Sequence, residues 1–354
     1  MYKLLIISLF ITPLFSAFSQ NREVFDFIRN TDQGELTLTS DFAIEILLVG
    51  TFHFKKKFLV PDVARQIINF NPEMLFIEEV PPSEHEQYLK DIYRKRSINP
   101  YKKAIDSAVS FTGISKAEAD EIITQLKGKR NLSLEEQATV TNALIIKNDE
   151  SNAFLYYYRA QQEMSSDDFQ RFRSMVTPMH LKRTYCLGET QFLTIPIALD
   201  LRIGSISQMD YQVDRVVNDS LLEIAQRKLL PRQLWKLWKL PYFLKMMKLN
   251  KGPKDNDEAN RHFRILNKWG TIVNMARMNE KYLNKPSVPA SIQWNEVYRK
   301  RNTIMINRVK EQSGQTGARK IAIVVGAGHL PYFIYEIKKQ FNNASIRFLE
   351  VSNL

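Results

Sequence analysis

Two histidines stand at the same distance from a glycine at opposite ends of the chain. In both "VGTFH", which ends at His53, and "VGAGH", which ends at His329, an apolar run is followed by glycine, two residues and histidine. Glycine permits a tight turn at the end of a strand, and histidine serves as a metal ligand or as a general acid or base. Two histidines that meet beside a carboxylate are typical of a site for a divalent transition metal ion.

Carboxylates follow apolar runs in the same way. The run "LFIEE" ends in Glu78 and Glu79, and the run "IPIALD" ends in Asp200. Because successive residues of a strand point to opposite faces, we expect only one of Glu78 and Glu79 to face the site. A predicted helix adds Arg301 and Asn302, and an arginine there is suited to bind a carboxylate or an oxyanion.

Five apolar runs predict the strands that position these side chains. Most of the runs are continuous rather than alternating, which is typical of strands covered by helices on both faces. We therefore predict an α/β fold with a mainly parallel (mixed) central sheet flanked by helices. The carboxyl ends of such strands line a common crevice, so the candidate residues should meet there. The predicted strands are Ile44–Val49, Met74–Ile77, Leu193–Leu199, Ile321–Val325 and Ser345–Val351.

The rest of the chain is predicted to be mainly helical. Pro61–Asn69 and Leu330–Phe341 are the expected connections within strand–helix–strand units, and the stretches at about 83–190 and 205–315 are large helical insertions into one domain spanning 20–354. Several helices begin at a serine, which is a favoured N-cap residue. The predicted helices of the insertions are Ser83–Lys95, Ser115–Leu126, Ser133–Lys147, Ser165–Arg173, Asp214–Lys228, Asp257–Asn279 and Ile292–Lys310.

The first nineteen residues are typical of a secretory signal peptide. A basic start at Lys3 precedes the apolar run Leu4–Phe15, and small residues follow, so we expect cleavage near Ser19 and export to the periplasm or the medium. The apolar run is short for a membrane span. Cys186 is the only cysteine, so no internal disulfide can form, and we interpret it as a small buried residue.

The chain carries a formal net charge of +12. Positive charge is concentrated in residues 227–254, which contain nine Lys or Arg and no acidic residue. We interpret this basic aromatic stretch as a helical hairpin or lid, with contact to a membrane surface as the alternative. Export argues against a nucleic-acid partner. Its interleaved aromatic residues are Trp235, Trp238, Tyr242 and Phe243.

These motifs together resemble the TraB/Tiki superfamily, which includes the TraB/GumN, erythromycin esterase-like and ChaN-like proteins. The likeness is strongest to its exported bacterial branch, and it covers roughly residues 43–82 and 293–353. The residues that carry it are Gly50 to His53, Glu78 or Glu79, Arg301 with Asn302, and Gly326 to Leu330.

The resemblance implies a metal-dependent hydrolase that acts on a peptide or an ester. A divalent Mn, Co, Zn or Fe ion would activate water, an acidic residue would act as general base, and Arg301 would stabilise the oxyanion. The expected metal ligands are His53, His329 and Glu78. The expected catalytic residues are Glu78, Glu79, Arg301 and Asp200. The residues expected to contact the cofactor are Gly50, Gly326, Gly328 and Asn302.

Two other functions fit the same residues. A metal-free esterase would use His53 or His329 as general base, paired with Glu78. A non-catalytic protein would bind haem, iron or a peptide, and the basic aromatic stretch would then dock an acidic ligand. In each case the expected partner is a small molecule or a peptide.

Overall fold

The computed structural model describes residues 14–36, 44–52, 60–85, 87, 100–127, 129, 131–178, 187–212, 214, 217–225, 253–280, 287–341 and 343–349. His53 and Cys186 lie outside the described residues, as does the basic aromatic stretch except for its last two positions.

Five parallel strands form the central sheet, which confirms the predicted α/β fold. Their spatial order is β3-β2-β4-β1-β5. The central strand β4 pairs with β1 on one side, where Thr51 lies opposite Gly326, and with β2 on the other, where Ile77 lies opposite Val324. The strand ends that carry the candidate residues are therefore neighbours. The strands are β1 (Ile44–Thr51), β2 (Met74–Ile77), β3 (Ser207–Gln208), β4 (Lys320–Gly326) and β5 (Ala344–Phe348).

Four helices cover one face of the sheet, which we call the α11 face. The strand side chains that point towards these helices, such as those of Ile46, Phe76 and Ile323, are buried in a single apolar cluster. The longest helix, α11, contributes Met305 and Val309 to this cluster. The four helices are α1 (Leu14–Asn30), α10 (Trp269–Met278), α11 (Pro289–Thr316) and α12 (Leu330–Gln340).

The opposite face, which we call the α6 face, is covered by a second group of helices. Alternate strand residues, such as Leu75, Ile77 and Val324, pack there against Phe154 and Phe263. The covering elements are α2 (Pro61–Phe70), α6 (Glu150–Glu163), a π-helical turn (Thr190–Thr194), α8 (Ile195–Asp200) and α9 (Asn256–Leu266).

The first predicted insertion contains helices that form small apolar clusters of their own. Ser115 and Ser133 each begin a helix with a capping box, in which serine and the glutamate three residues later satisfy each other's backbone N–H groups. Helix α6 alone belongs both to these clusters and to the α6 face. The helices are α3 (Pro100–Thr112), α4 (Lys116–Leu126), α5 (Leu134–Ile146), α6 and α7 (Ser166–Met175).

The predicted strand Leu193–Leu199 is wrong, because this run is helical. Pro196 lies in the first turn of α8, directly after the π-helical turn, which is a junction that tolerates proline. Leu193 and Ile197 are four residues apart and both are buried on the α6 face, as one side of a helix requires. A short apolar run is compatible with a buried strand or a buried helix, and here the helix prevails.

Helix α1 spans the predicted cleavage position near Ser19. Beyond that position, Val24 and Ile28 are buried in the apolar cluster of the α11 face. The residues that would remain after cleavage thus include part of the core, while the cleavage itself stays a prediction. Within the described ranges, we found no helix with the length and apolarity needed to cross a bilayer.

Gly50 joins the end of β1 to the elements around it. A Cβ atom at this position would lie 2.6 Å from Leu330 Cδ1 and 3.3 Å from Ala327 Cα. The side chain of Asn267 pairs with the Gly50 backbone, accepting from its N–H at 2.7 Å and donating to its C=O at 2.9 Å. Glycine is needed here because α12 packs directly on the strand.

We predict that Gly50→Ala lowers the free energy of unfolding by about 1–3 kcal/mol, because overpacking of a filled core costs that much. Urea unfolding followed by circular dichroism measures the change. Gly314→Ala is the matched control: a Cβ there meets no atom within 4 Å, and alanine favours the helix by about 0.5–1 kcal/mol. Equal effects of the two substitutions would contradict the packing role of Gly50.

Candidate functional site

Glu78 and Glu79 leave β2 on opposite faces of the sheet. The side chain of Glu78 lies on the same face of the sheet as Phe76 and accepts a hydrogen bond from Arg301 of α11. The side chain of Glu79 lies on the opposite face, with Ile77, and accepts a hydrogen bond from Thr190. The two carboxylates therefore point to opposite faces of the sheet, and Glu78 is the one that lies beside His329.

The carboxylate of Glu78 is held by three elements. Its Oε1 atom lies 2.7 Å from Nη2 of Arg301 and 3.2 Å from Nε2 of His329. Its Oε2 atom accepts the N–H of Gly326 at 2.8 Å. Only 10% of the Glu78 side chain is exposed, so these contacts replace most of its water. Charged hydrogen bonds of this kind are among the stronger ones in proteins.

His329 is fixed through its other ring nitrogen. The side-chain amide of Asn302 donates to the carbonyl of Tyr298 at 2.6 Å, which directs its oxygen towards His329. Nδ1 of His329 lies 2.7 Å from that oxygen and must therefore carry the proton. In the neutral imidazole the lone pair is then on Nε2, which faces Glu78.

An aromatic ring also holds the imidazole. The ring of Tyr298 stacks on His329 with centroids 4.8 Å apart and planes 27° from parallel, and Trp294 stacks on the other side of Tyr298 at 5.3 Å. Burial raises the pKa of the Tyr298 hydroxyl well above its usual value, with Glu78 and Asp210 adding to the effect against Arg301. The phenol therefore stays protonated at neutral pH.

Arg301 links Glu78 to a second carboxylate, that of Asp210. Its Nε atom donates to Oδ1 of Asp210 at 2.7 Å. Burial by itself would lower the pKa of Arg301, but the charges of Asp210 and Glu78 outweigh it and raise the pKa. The guanidinium is thus a permanent cation between two buried anions.

One face of α11 supplies Tyr298, Arg301 and Asn302. These residues occupy positions i, i+3 and i+4, which lie on the same side of a helix. Asn302 is fully buried beneath that face. The sequence drew attention to Arg301 and Asn302 but missed Tyr298, although its helical spacing from them was a readable signal.

Asp200 is not at this site, which corrects the prediction made for it. It is exposed at the carboxyl end of α8, because the run that precedes it is a helix. Asp210 takes the expected place instead. Its backbone N–H donates to the C=O of Glu79 at 2.9 Å just beyond β3, and 3% of Asp210 is exposed. Because β3 is two residues long, its apolar pattern was too short to predict.

We expected Gly50, Gly326, Gly328 and Asn302 to contact a cofactor. In the structure they contact other groups of the protein. Gly326 donates its N–H to Glu78, and Gly50 is bound by Asn267. A Cβ at Gly328 would lie 3.4 Å from the hydroxyl of Tyr298, which is an ordinary contact and places that phenol beside the turn. These residues shape the site by holding the side chains that face it.

A shallow cleft, whose space of about 240 Å³ includes open solvent, lies beside Arg301 and Tyr298. Its far wall includes Asp214, which is paired with Lys300 at 2.7 Å. The cleft borders the helix face that contacts Glu78 and His329. Its lining residues are Tyr211, Gln212, Asp214, Asn218, Val297, Tyr298 and Arg301.

The described residues contain no group of three or more His, Cys, Asp or Glu side chains arranged to hold a metal ion. Two of the three predicted ligands, Glu78 and His329, are in contact. The third, His53, lies outside the described residues, directly after Phe52, whose ring packs edge-on against His262 at 5.3 Å. A metal site therefore needs a ligand from beyond the described ranges.

Glu79 belongs to a separate polar cluster on the α6 face. Burial raises its pKa from 4.5 to about 7, although hydrogen bonds from Thr190, Ser151 and Gln208 oppose this and the charge of Asp149 adds to it. Burial, together with the charge of Glu79, also raises the pKa of Glu150 to about 7. These two carboxyl groups can thus be protonated near neutral pH.

We predict that this cluster makes the protein less stable at pH 8 than at pH 5. The folded-state pKa lies above the unfolded value of 4.5, so between pH 4.5 and 7 the folded chain keeps protons that the unfolded chain has lost. The free energy of unfolding then falls as the pH rises through this window.

Glu150→Gln should remove part of that fall, on the order of 2 kcal/mol, because glutamine is neutral at both pH values. Urea unfolding at the two pH values measures the difference. Glu163→Gln, an exposed position on the same helix, should retain the wild-type pH dependence. A Glu150→Gln profile identical to that of the wild type would refute the buried-carboxyl account.

A scan of the sequence against protein-family models gave no match, and neither did searches of curated proteins and of solved structures. The likeness to the TraB/Tiki superfamily thus rests on the sequence motifs alone.

Proposed function

We propose that this chain is a metal-dependent hydrolase of ester or peptide bonds, with its reacting groups at the carboxyl ends of β2 and β4. One observation carries the proposal: Nε2 of His329 faces Oε1 of Glu78 at 3.2 Å while Nδ1 is committed to Asn302. In the neutral imidazole two electron-rich atoms then face each other. A positive group shared by both atoms turns that repulsion into attraction.

The residues present fit a divalent transition metal ion as the positive group. Histidine nitrogen and carboxylate oxygen bind such ions at about 2.0–2.2 Å, which two atoms 3.2 Å apart can both reach. Asn302 supplies the hydrogen bond to the remote ring nitrogen that metal-binding histidines usually make. When bound, the ion would supply a water whose pKa is lowered from about 15.7 to about 7.

Charge also favours a cation at this position. Glu78 and Asp210 carry two negative charges, and Arg301, which bonds to both, carries one positive charge. This buried trio has one negative charge in excess, which a bound cation would compensate. His53 is the candidate third ligand, since it follows the end of β1 beside β4.

The remaining side chains have separate tasks in this proposal. Arg301 fixes the carboxylate of Glu78 and borders the cleft in which the substrate binds. Glu78 would hold the ion, with its other contacts to Arg301 and to the N–H of Gly326, and the ion would lower the pKa of its water so that the proton can pass to solvent. Glu79 would take no part, because it faces the opposite side of the sheet. Asn302 holds His329 in the tautomer that presents Nε2.

A metal-free esterase is the second candidate, and the position of Arg301 favours it. The guanidinium already lies 2.7 Å from the same Oε1 atom that His329 approaches. A proton on Nε2 would make the four groups neutral overall, with Arg301 and His329 balancing Glu78 and Asp210. His329 and Glu78 would then act together as an acid–base pair.

We expect the purified protein to contain a transition metal, and His329→Ala and Glu78→Gln to lose it, because each removes a ligand. Elemental analysis of the two variants and the wild type measures the content. Glu79→Gln is the matched control, since it changes the adjacent carboxylate on the other face and should keep the metal. Full metal content in both ligand variants would refute the metal site.

We further expect hydrolysis of p-nitrophenyl acetate or of a fluorogenic peptide mixture to disappear in Glu78→Gln and to persist in Glu79→Gln. A chelator should abolish the wild-type activity, and zinc or manganese should restore it. Activity that resists the chelator but is lost in Glu78→Gln identifies the metal-free esterase. A haem absorption band without hydrolysis would indicate a binding protein instead.

A further inference from the structure

The donors that border the cleft are mostly committed to the protein. Arg301 uses Nε for Asp210 and Nη2 for Glu78, and the amide of Gln212 donates to Asp210 at 2.6 Å. A hydrolytic site needs at least one donor aimed at the substrate oxygen, where negative charge develops in the transition state. Tyr298 is the cleft residue that also contacts His329, which makes it the candidate donor.

The hydroxyl of Tyr298 is well placed for this task. It lies beside Gly328, one residue before His329, at the turn where β4 leads into α12. Tyr298 also lines the cleft next to Arg301. Burial raises the pKa of this hydroxyl well above its usual value, so the phenol keeps its proton and remains a hydrogen-bond donor at neutral pH.

The ring of Tyr298 has a second effect. It stacks on the imidazole of His329 at 4.8 Å, and Trp294 backs it on the other side. With Asn302 bound to Nδ1, the stack removes the remaining freedom of the imidazole, which is rotation out of its plane. Tyr298 is thus placed to act on His329 through its ring and on a substrate through its hydroxyl.

We propose that Tyr298 is a further residue of this site: its ring positions the imidazole of His329, and its hydroxyl donates a hydrogen bond to the substrate oxygen in the cleft. The inference rests on the proposed hydrolytic function. No proton leaves the phenol, which acts only as a donor to the developing oxyanion.

Two substitutions separate the two effects. Tyr298→Phe keeps the ring and removes the donor, so kcat should fall about 100-fold with KM and metal affinity unchanged. Tyr298→Leu removes the ring as well, so the affinity for zinc should also weaken, by about 10–100-fold. Tyr332→Phe is the control: this buried tyrosine packs edge-on against Tyr298 at 5.4 Å, and both quantities should remain at the wild-type level.

The measurements are steady-state hydrolysis and a zinc titration of the metal-depleted full chain, with melting temperatures to verify folding. Wild-type kcat in Tyr298→Phe overturns the donor role, and wild-type zinc affinity in Tyr298→Leu overturns the positioning role. Either result leaves the proposed hydrolase intact if the wild type is active and binds zinc. A wild type without hydrolysis or zinc binding instead defeats the proposed function, and the role of Tyr298 with it.

Discussion

The site depends on keeping one carboxylate, that of Glu78, charged and almost out of water. A buried anion is costly unless charged and hydrogen-bonding partners replace its hydration. Arg301 and the N–H of Gly326 provide that replacement, and Asp210 in turn balances Arg301. Removing any one partner would leave a buried charge without compensation, which is strongly destabilising. The network must therefore be assembled as a whole.

The parallel sheet makes this assembly possible. Glu78 follows β2, Gly326 ends β4, and the register that sets Ile77 opposite Val324 brings the two strand ends together. Helix α11 lies across the same face, and its Arg301 side chain is placed between Glu78 and Asp210. Residues more than two hundred positions apart in sequence meet because each stands directly at the end of a strand or on the helix that covers it.

Much of this arrangement was readable from the sequence, and the misses have physical causes. The continuous apolar runs of β1, β2 and β4 predicted their strands, and the alternation of side chains predicted that Glu78 and Glu79 would separate. The run before Asp200 misled because an apolar segment of that length suits either a strand or a buried helix. Asp210 was missed because β3 pairs through only two residues. The spacing of Tyr298 from Arg301 and Asn302 placed it on the same helix face, but its stacking on His329 joins distant segments and could not be read from the sequence.

The orientation of His329 is the most direct test of the account, because metal binding and acid–base catalysis both require Nε2 to face Glu78. Nitrogen-15 NMR of the two ring nitrogens, in the metal-depleted protein and after one equivalent of zinc, measures it. We predict that Nδ1 carries a proton throughout and that zinc shifts the Nε2 resonance. A zinc response at Nδ1, or at neither nitrogen, would contradict the site described for Glu78 and His329.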